Sequence, residues 1–256
     1  MFRVIRERLK QKKRTIPFPV SDPILPERYR GFPVLNRERC AGHEGCKACV
    51  QACPTHALSY DDTGFEVDLG RCLACVDCST ACPNSALSYN REYKQAASCR
   101  SALIVRNNQR ATKEIRAAKH IRDLFSKSFK LRQVSAGGCN GCELDTNVLT
   151  TNVFDLGRFS VEFVASPRHA DGLLVTGPVT GNMKEALLKT YAAIPDPKVV
   201  IAVGACALSG GIYNGHPDCC DGVDSVLPVD LYVPGCPPHP LTILDALLRF
   251  LGRKNG

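Results

Sequence analysis

The feature that most constrains this chain is a repeat of cysteines. CKACVQACPTHALSY at 46–60 and CVDCSTACPNSALSY at 75–89 match nearly position for position, and both copies end in ALSY. Disulfide staples would be spread along a chain, whereas most of the fifteen cysteines here fall in short clusters with the spacing of metal-ligating thiolates. Thiolates persist as ligands in a reducing compartment. The basic start MFRVIRERLKQKKR runs into a segment with five prolines and offers neither an apolar core segment nor a small-residue cleavage site, so the cytosol is the expected location. No run approaches the roughly 18 apolar residues that span a bilayer. Membrane contact is therefore expected to be peripheral, on the inner face of the cell membrane through partner subunits.

The run Cys72-x2-Cys75-x2-Cys78-x3-Cys82-Pro83 resembles two-cluster bacterial-type ferredoxins, in which three cysteines of a tight loop hold a 4Fe-4S cluster and the fourth serves its neighbour. The first copy reads Cys40-x5-Cys46-x2-Cys49-x3-Cys53-Pro54. The expected crossing puts Cys40, Cys46, Cys49 and Cys82 on one cluster and Cys72, Cys75, Cys78 and Cys53 on the other. The usual first gap is two residues, which would put His43 in the first position. Cys40 is favoured because Arg39-Cys40 aligns with Arg71-Cys72 once three residues are inserted, and because thiolate suits a cluster iron better. A pair of zinc sites is the alternative, since CxxC pairs also bind zinc; eight cysteines at this repeat, each half closing on Cys-Pro, weigh against it. This resemblance covers residues 36–90.

The charge of +8 is unevenly placed. Seven basic residues against Glu7 occupy the first fourteen positions, and twelve against three acids lie between Arg91 and Arg132, leaving the remainder net acidic. No aromatic interleaving, zinc-finger histidine pair or reading helix accompanies these patches, so nucleic acid is not expected as a partner. Residues 1–14 fit a short helix with Phe2, Ile5 and Leu9 on one side and basic residues elsewhere, the pattern of an interfacial anchor. The expected organisation is a basic helix and Pro-rich arm over 1–35, an α+β ferredoxin-like dicluster domain over 36–90, a basic linker and helix over 91–130, and a further domain over 131–256. Ile115, Ala118, Ile121, Phe125 and Phe129 recur every three or four residues, which predicts an amphipathic helix from about Asn108 to Lys130.

From Leu131, short β-rich runs at 131–135, 159–165, 172–177, 198–204 and 230–235 alternate with helical stretches near 143–154, 181–194 and 239–251. This alternation predicts an α/β flavodoxin-like domain with a mainly parallel sheet. Cys139 and Cys142, Cys206, and Cys236 each follow the carboxyl end of a predicted strand, the edge where open parallel sheets place ligands. Residues up to 97 positions apart can thus converge on one site, among glycines that let backbone approach closely.

The stretches CNGCEL, ASPRHADGLLVTGPVT, GACALSGG and PVDLYVPGCPP resemble the small subunit of nickel–iron hydrogenases and its relative, the 20 kDa cluster-bearing subunit of respiratory complex I. The spacing Cys139-Asn-Gly-Cys142, where the complex I version looks like adjacent cysteines, points to the membrane-bound, energy-converting branch that includes formate hydrogenlyases. That resemblance implies a third 4Fe-4S cluster on Cys139, Cys142, Cys206 and Cys236, close to a nickel–iron centre on a separate hydrogenase-like large subunit. It also implies membrane antiporter-like subunits and an electron donor or acceptor, either a subunit or soluble ferredoxin. No base, nucleophile or substrate pocket is evident, so the chain is expected to be a non-catalytic electron-transfer subunit carrying three 4Fe-4S clusters. A complex I-like or nickel-free oxidoreductase subunit and a stand-alone cluster carrier are the rival readings. Cys99 reads as a small buried residue, Cys219 and Cys220 as a vicinal loop pair able to substitute as ligands, and Glu143 as a first-turn helix residue or a proton relay.

Overall fold

In the computed structural model, residues 2–40, 45–110 and 115–253 are described. The helix α1 (Phe2–Gln11) carries Phe2, Ile5 and Leu9 on one side and buries none of its residues. The proline-punctuated arm after it is anchored at several points. Ile16 N donates to Val153 O (2.9 Å), Phe18 is buried edge-on against Tyr93, and Arg91 donates to the carbonyls of Leu25 and Pro26.

The repeat folds as a repeat. Each copy supplies a short helix, α2 (Ala48–Gln51) or α3 (Asp77–Thr80), and the shared ALSY supplies a strand, β2 (Leu58–Asp61) or β4 (Leu87–Tyr89), whose leading leucine is buried. The strand β1 (Pro33–Leu35) pairs antiparallel with β4. The hairpin of β2 and β3 (Gly64–Asp68) is extended by β5 (Ile104–Arg106) and β6 (Gln109–Arg110) into a four-stranded antiparallel sheet.

Those last two strands correct the expected helix from Asn108 to Lys130. Asn107 and Asn108 both take positive φ, the conformation of a two-residue hairpin turn, and Asn108 bonds both the N–H and the carbonyl of Leu35. Beyond the turn, Ile115 and Ala117 are buried in non-helical backbone, with Ala117 N donating to Phe250 O (2.9 Å). Among the described residues of this stretch only α4 (Lys119–Leu124) is helical, and Phe129 opens the next strand. The three-to-four spacing came from apolar residues that enter the core from several different elements.

The C-terminal half is a five-stranded parallel sheet of β7 (Phe129–Ser135), β8 (Val161–Phe163), β9 (Gly172–Thr176), β10 (Val199–Val203) and β11 (Leu231–Val233), in the order β8-β7-β9-β10-β11. The alternation that predicted it reflects burial on both faces, which favours continuous apolar strands such as the fully buried Val199–Val203. The helices are α5 (Gly141–Val148), α6 (Gly181–Ala192), α7 (Ala205–Ser209) and α8 (Pro240–Phe250). One face of the sheet packs Leu174, Ile201 and Val233 against α8; the other presents Leu173, Val175, Val200 and Ala202 to a core continuous with Phe65, Val67 and Leu103 of the N-terminal half. No helix among the described residues is long and apolar enough to cross a membrane.

The two halves are also joined along their backbones. Ala97 forms an antiparallel bridge with Tyr232 of the sheet-edge strand β11, and the chain then passes through a 3-10 turn (Arg100–Leu103) into β5 of the other sheet. Residues 97–110, expected to lie in a linker, thus form the seam between the sheets. Arg110, its pKa held down to about 10 by burial, donates to the carbonyls of Lys94, Gln95 and Ala96.

Candidate iron–sulfur cluster sites

The first copy begins its Cys-Pro turn at Cys53 and the second at Cys82. In both, the residue three positions on, His56 or Ser85, adopts positive φ and closes a turn onto the cysteine carbonyl. The next amide is thereby aimed back at the sulfur: Ala57 N donates to Cys53 Sγ and Ala86 N to Cys82 Sγ, each at 3.2 Å. A third such bond runs from Ala74 N to Cys72 Sγ (3.4 Å). Donors of this kind stabilise a thiolate ligand and adjust the potential of what it holds.

The turns distribute the cysteines in a crossed pattern. Cys40, Cys46 and Cys49 line one cavity together with Cys82, closed by Leu35, Tyr60, Pro83 and Leu87. His43 lies outside the described residues. The Cys72 thiol is pushed up to about 12, first by burial and then by its neighbours Cys78, Cys53 and Cys75. Cys53 therefore stands with the second copy and Cys82 with the first. Burial also raises the Cys49 thiol to about 11, with Cys40, Cys78 and Cys82 contributing, so the two sets are neighbours. Tyr89 donates its hydroxyl to Cys75 O and contacts Cys78 Sγ at 3.4 Å, sealing the second set.

The third set assembles at the carboxyl edge of the parallel sheet. Asn140, in the left-handed conformation, turns the chain from β7 into α5, whose first turn carries Cys142. The five-residue helix α7, too short to be expected from sequence, carries Cys206; Cys236 follows β11. The Cys142 thiol is raised by burial, then by Cys236, Glu143, Cys206 and Cys139; that of Cys206 is raised to about 11 by burial, Cys236 and Cys139. Two glycines are obligatory here. A Cβ on Gly204, at φ +92°, would collide with Cys142 Sγ, and one on Gly211 would lie 2.8 Å from Cys206 Sγ. Cys139 and Cys236 are exposed, unlike any cysteine of the first two sets. The Cys236 thiol also feels Cys75, which makes the second set the neighbour of the third.

Among the described residues no three His, Cys, Asp or Glu side chains gather tightly enough to hold a single metal ion. Four sulfurs around a shared space, fed by backbone N–H groups and crowded until their thiolates repel, fit a polynuclear cluster whose irons supply positive charge and separate attachment points.

Glu143 is buried and accepts a 2.5 Å hydrogen bond from Thr176 Oγ1 at the end of β9. Cys219 reaches the neighbourhood of Cys206 in a loop tied down by Cys220 N donating to Val179 O. Cys99 is half-buried at the seam, 3.5 Å from Ser101 Oγ. His169 and His216 are exposed, whereas His239 caps α8 and meets Tyr29 edge-on. A cleft of about 280 Å³ between Cys72 and Cys236 is walled by Tyr29, Arg30, Asp145 and His239, a feature with no motif to announce it.

Residues 39–86 match the family model of the 4Fe-4S dicluster domain, and residues 139–250 that of the NADH ubiquinone oxidoreductase 20 Kd subunit. The probable membrane-bound hydrogenase subunit mbhJ of Pyrococcus furiosus is 42% identical over 142 residues, 56% of this chain and 84% of that protein. Formate hydrogenlyase subunit 7 of Escherichia coli is 44% identical over 128 residues, and the match spans half of each chain. An NADH-quinone oxidoreductase subunit of Saccharopolyspora erythraea is 43% identical over 45% of this chain and 52% of its own. In a solved structure, that of the archaeal membrane-bound sulfane sulfur reductase, a chain matches with 33% identity and a TM-score of 0.46 over 52% of this chain and 73% of its own. The chain belongs to the NADH ubiquinone oxidoreductase 20 Kd subunit family, with a 4Fe-4S dicluster domain preceding the family's own segment.

Proposed function

We propose that this chain is the electron-transfer iron–sulfur subunit of a membrane-bound, energy-converting nickel–iron hydrogenase of the formate hydrogenlyase type. The observation that carries the reading is the succession of three cysteine sets, each electrostatically within reach of the next, with only the last exposed. In this reading Cys40, Cys46, Cys49 and Cys82 hold one 4Fe-4S cluster, Cys72, Cys75, Cys78 and Cys53 a second, and Cys139, Cys142, Cys206 and Cys236 a third. Bound there, each cluster accepts and releases one electron at a time. The chain's residues set the order and spacing of the sites and donate N–H bonds to Cys53, Cys72 and Cys82 that favour the reduced state.

The domain division follows: an arm over 1–35, a ferredoxin-like dicluster domain over 36–90, a connecting segment over 91–130 and a third-cluster domain over 131–256. The strand order, 2-1-3-4-5 counted from β7, supports the flavodoxin-like label for the last. A hydrogenase-like large subunit covers exposed Cys139 and Cys236; the donor or acceptor, a subunit or soluble ferredoxin, meets the opposite end near Cys46. Antiporter-like membrane subunits hold the assembly against the inner face of the cell membrane.

The similarity to the NADH-quinone oxidoreductase subunit supports a second reading, a complex I-like or nickel-free complex using the same relay. Metal analysis separates them. Purified anaerobically through a tag on this chain, the complex should hold at least about twelve irons, four per cluster, and nickel alongside them. Iron without nickel overturns the hydrogenase reading and puts the second in its place.

A further inference from the structure

We propose that Arg100 is a positioning residue that fixes the separation of the second and third cluster sites; the proposal rests on the reading that these cysteines hold clusters. Asp68 organises the turn that presents Cys72: its carbonyl accepts from Arg71 N (3.1 Å) and Cys72 N (3.0 Å), and its Oδ1 accepts from Gly70 N (2.8 Å). Arg100 grips the same carboxylate with both terminal nitrogens, Nη1 to Oδ1 at 2.7 Å and Nη2 to Oδ2 at 2.6 Å. Its Nε turns the other way and donates to Leu208 O (3.3 Å) of α7, the helix that carries Cys206.

One guanidinium thus spans from the Cys72 turn to the Cys206 helix. A second contact runs parallel to it, from Ser209 Oγ to Gly70 O at 3.0 Å. The fork is pressed against Gly70 so closely that a Cβ there would lie 2.5 Å from Arg100 Cζ. Arg100 is itself held at the seam, directly after the Ala97–Tyr232 bridge and at the start of the turn that leads into β5. A planar fork with a third donor left over for a second acceptor is what this geometry uses, and lysine, a single point charge, cannot reproduce it. The Cys72 turn keeps its internal bonds to Asp68 without Arg100, so removal loosens the joint between sites rather than either site.

The test is made on the anaerobically purified complex carrying Arg100→Met or Arg100→Lys. Iron per chain is counted, and the magnetic splitting between the reduced second and third clusters is read by electron paramagnetic resonance. Both variants are expected to keep wild-type iron and to lose or change the splitting, while the midpoint potentials move only in Arg100→Met, where the positive charge is gone. Unchanged splitting in both variants overturns the proposal. A change confined to Arg100→Met assigns the effect to charge and overturns positioning, and loss of iron from both variants makes Arg100 a folding residue and overturns it too. A wild-type complex without iron at these cysteines fails the cluster reading itself, and the iron count distinguishes that result from the others.

Discussion

The two halves of this molecule solve one problem in opposite ways. The N-terminal half gathers cysteines from a duplicated turn, so its eight candidate ligands lie within 43 positions and none of them is fully exposed. The C-terminal half gathers four cysteines spread over 97 positions by ending three strands at one sheet edge, and leaves Cys139 and Cys236 exposed. A local repeat makes half-buried stations built from neighbouring residues. A sheet edge makes an open terminus, suited to meeting another subunit.

The comparison breaks most visibly at the crossed cysteine. Cys82→Ser, though it lies in the second copy, should remove the cluster of Cys40, Cys46 and Cys49, with iron falling by about four per chain and the signal of the Cys72 set remaining. Loss of the Cys72-set signal instead would refute the crossing. At the open terminus, Gly204→Ala should abolish the third cluster alone, because the new Cβ collides with Cys142 Sγ at a positive φ that disfavours any side chain; spectra retaining all three clusters would contradict this.

Thr176→Val deletes the hydroxyl that bonds buried Glu143 and should cost about 1–3 kcal/mol in denaturant unfolding. The pH dependence of loading comes next. Burial holds Cys49, Cys72 and Cys206 at about 11, 12 and 11, so these thiols are protonated at neutral pH and iron must displace their protons. Cluster reconstitution should therefore strengthen as pH rises from 7 toward 9 and weaken below 7. For the metal-free fold the sign is opposite. Thiols raised above their ordinary value stabilise it below about pH 9, and that contribution fades as pH climbs toward 12, which melting curves across that range would reveal. The smallest effect belongs to α1: Leu9→Asp should leave iron content and melting unchanged, since α1 buries nothing.

The two halves also differed in how much of them could be read from sequence. The repeat announced its cysteines; that ALSY, recurring at a fixed distance from each Cys-Pro, forms a strand in both copies emerged only in the fold. The five parallel strands were legible as short apolar runs between helices. The seam was not, since β5 and β6 are three and two residues long and their turn depends on two asparagines at positive φ. The missed helix α7 has five residues between Gly204 and Gly210, too few for a period to appear. Arg100 looked like one more charge in a basic stretch; only the fold brings Asp68 and Leu208 to it from 32 positions before and 108 after.

The most direct test of the three-site account is iron and acid-labile sulfide per chain in the anaerobically purified complex, wild type against the Cys139→Ser, Cys236→Ser double variant. The account predicts at least about twelve of each in the wild type and about four fewer of each in the variant. Equal values in both chains would contradict it, because the sheet edge would then hold no cluster.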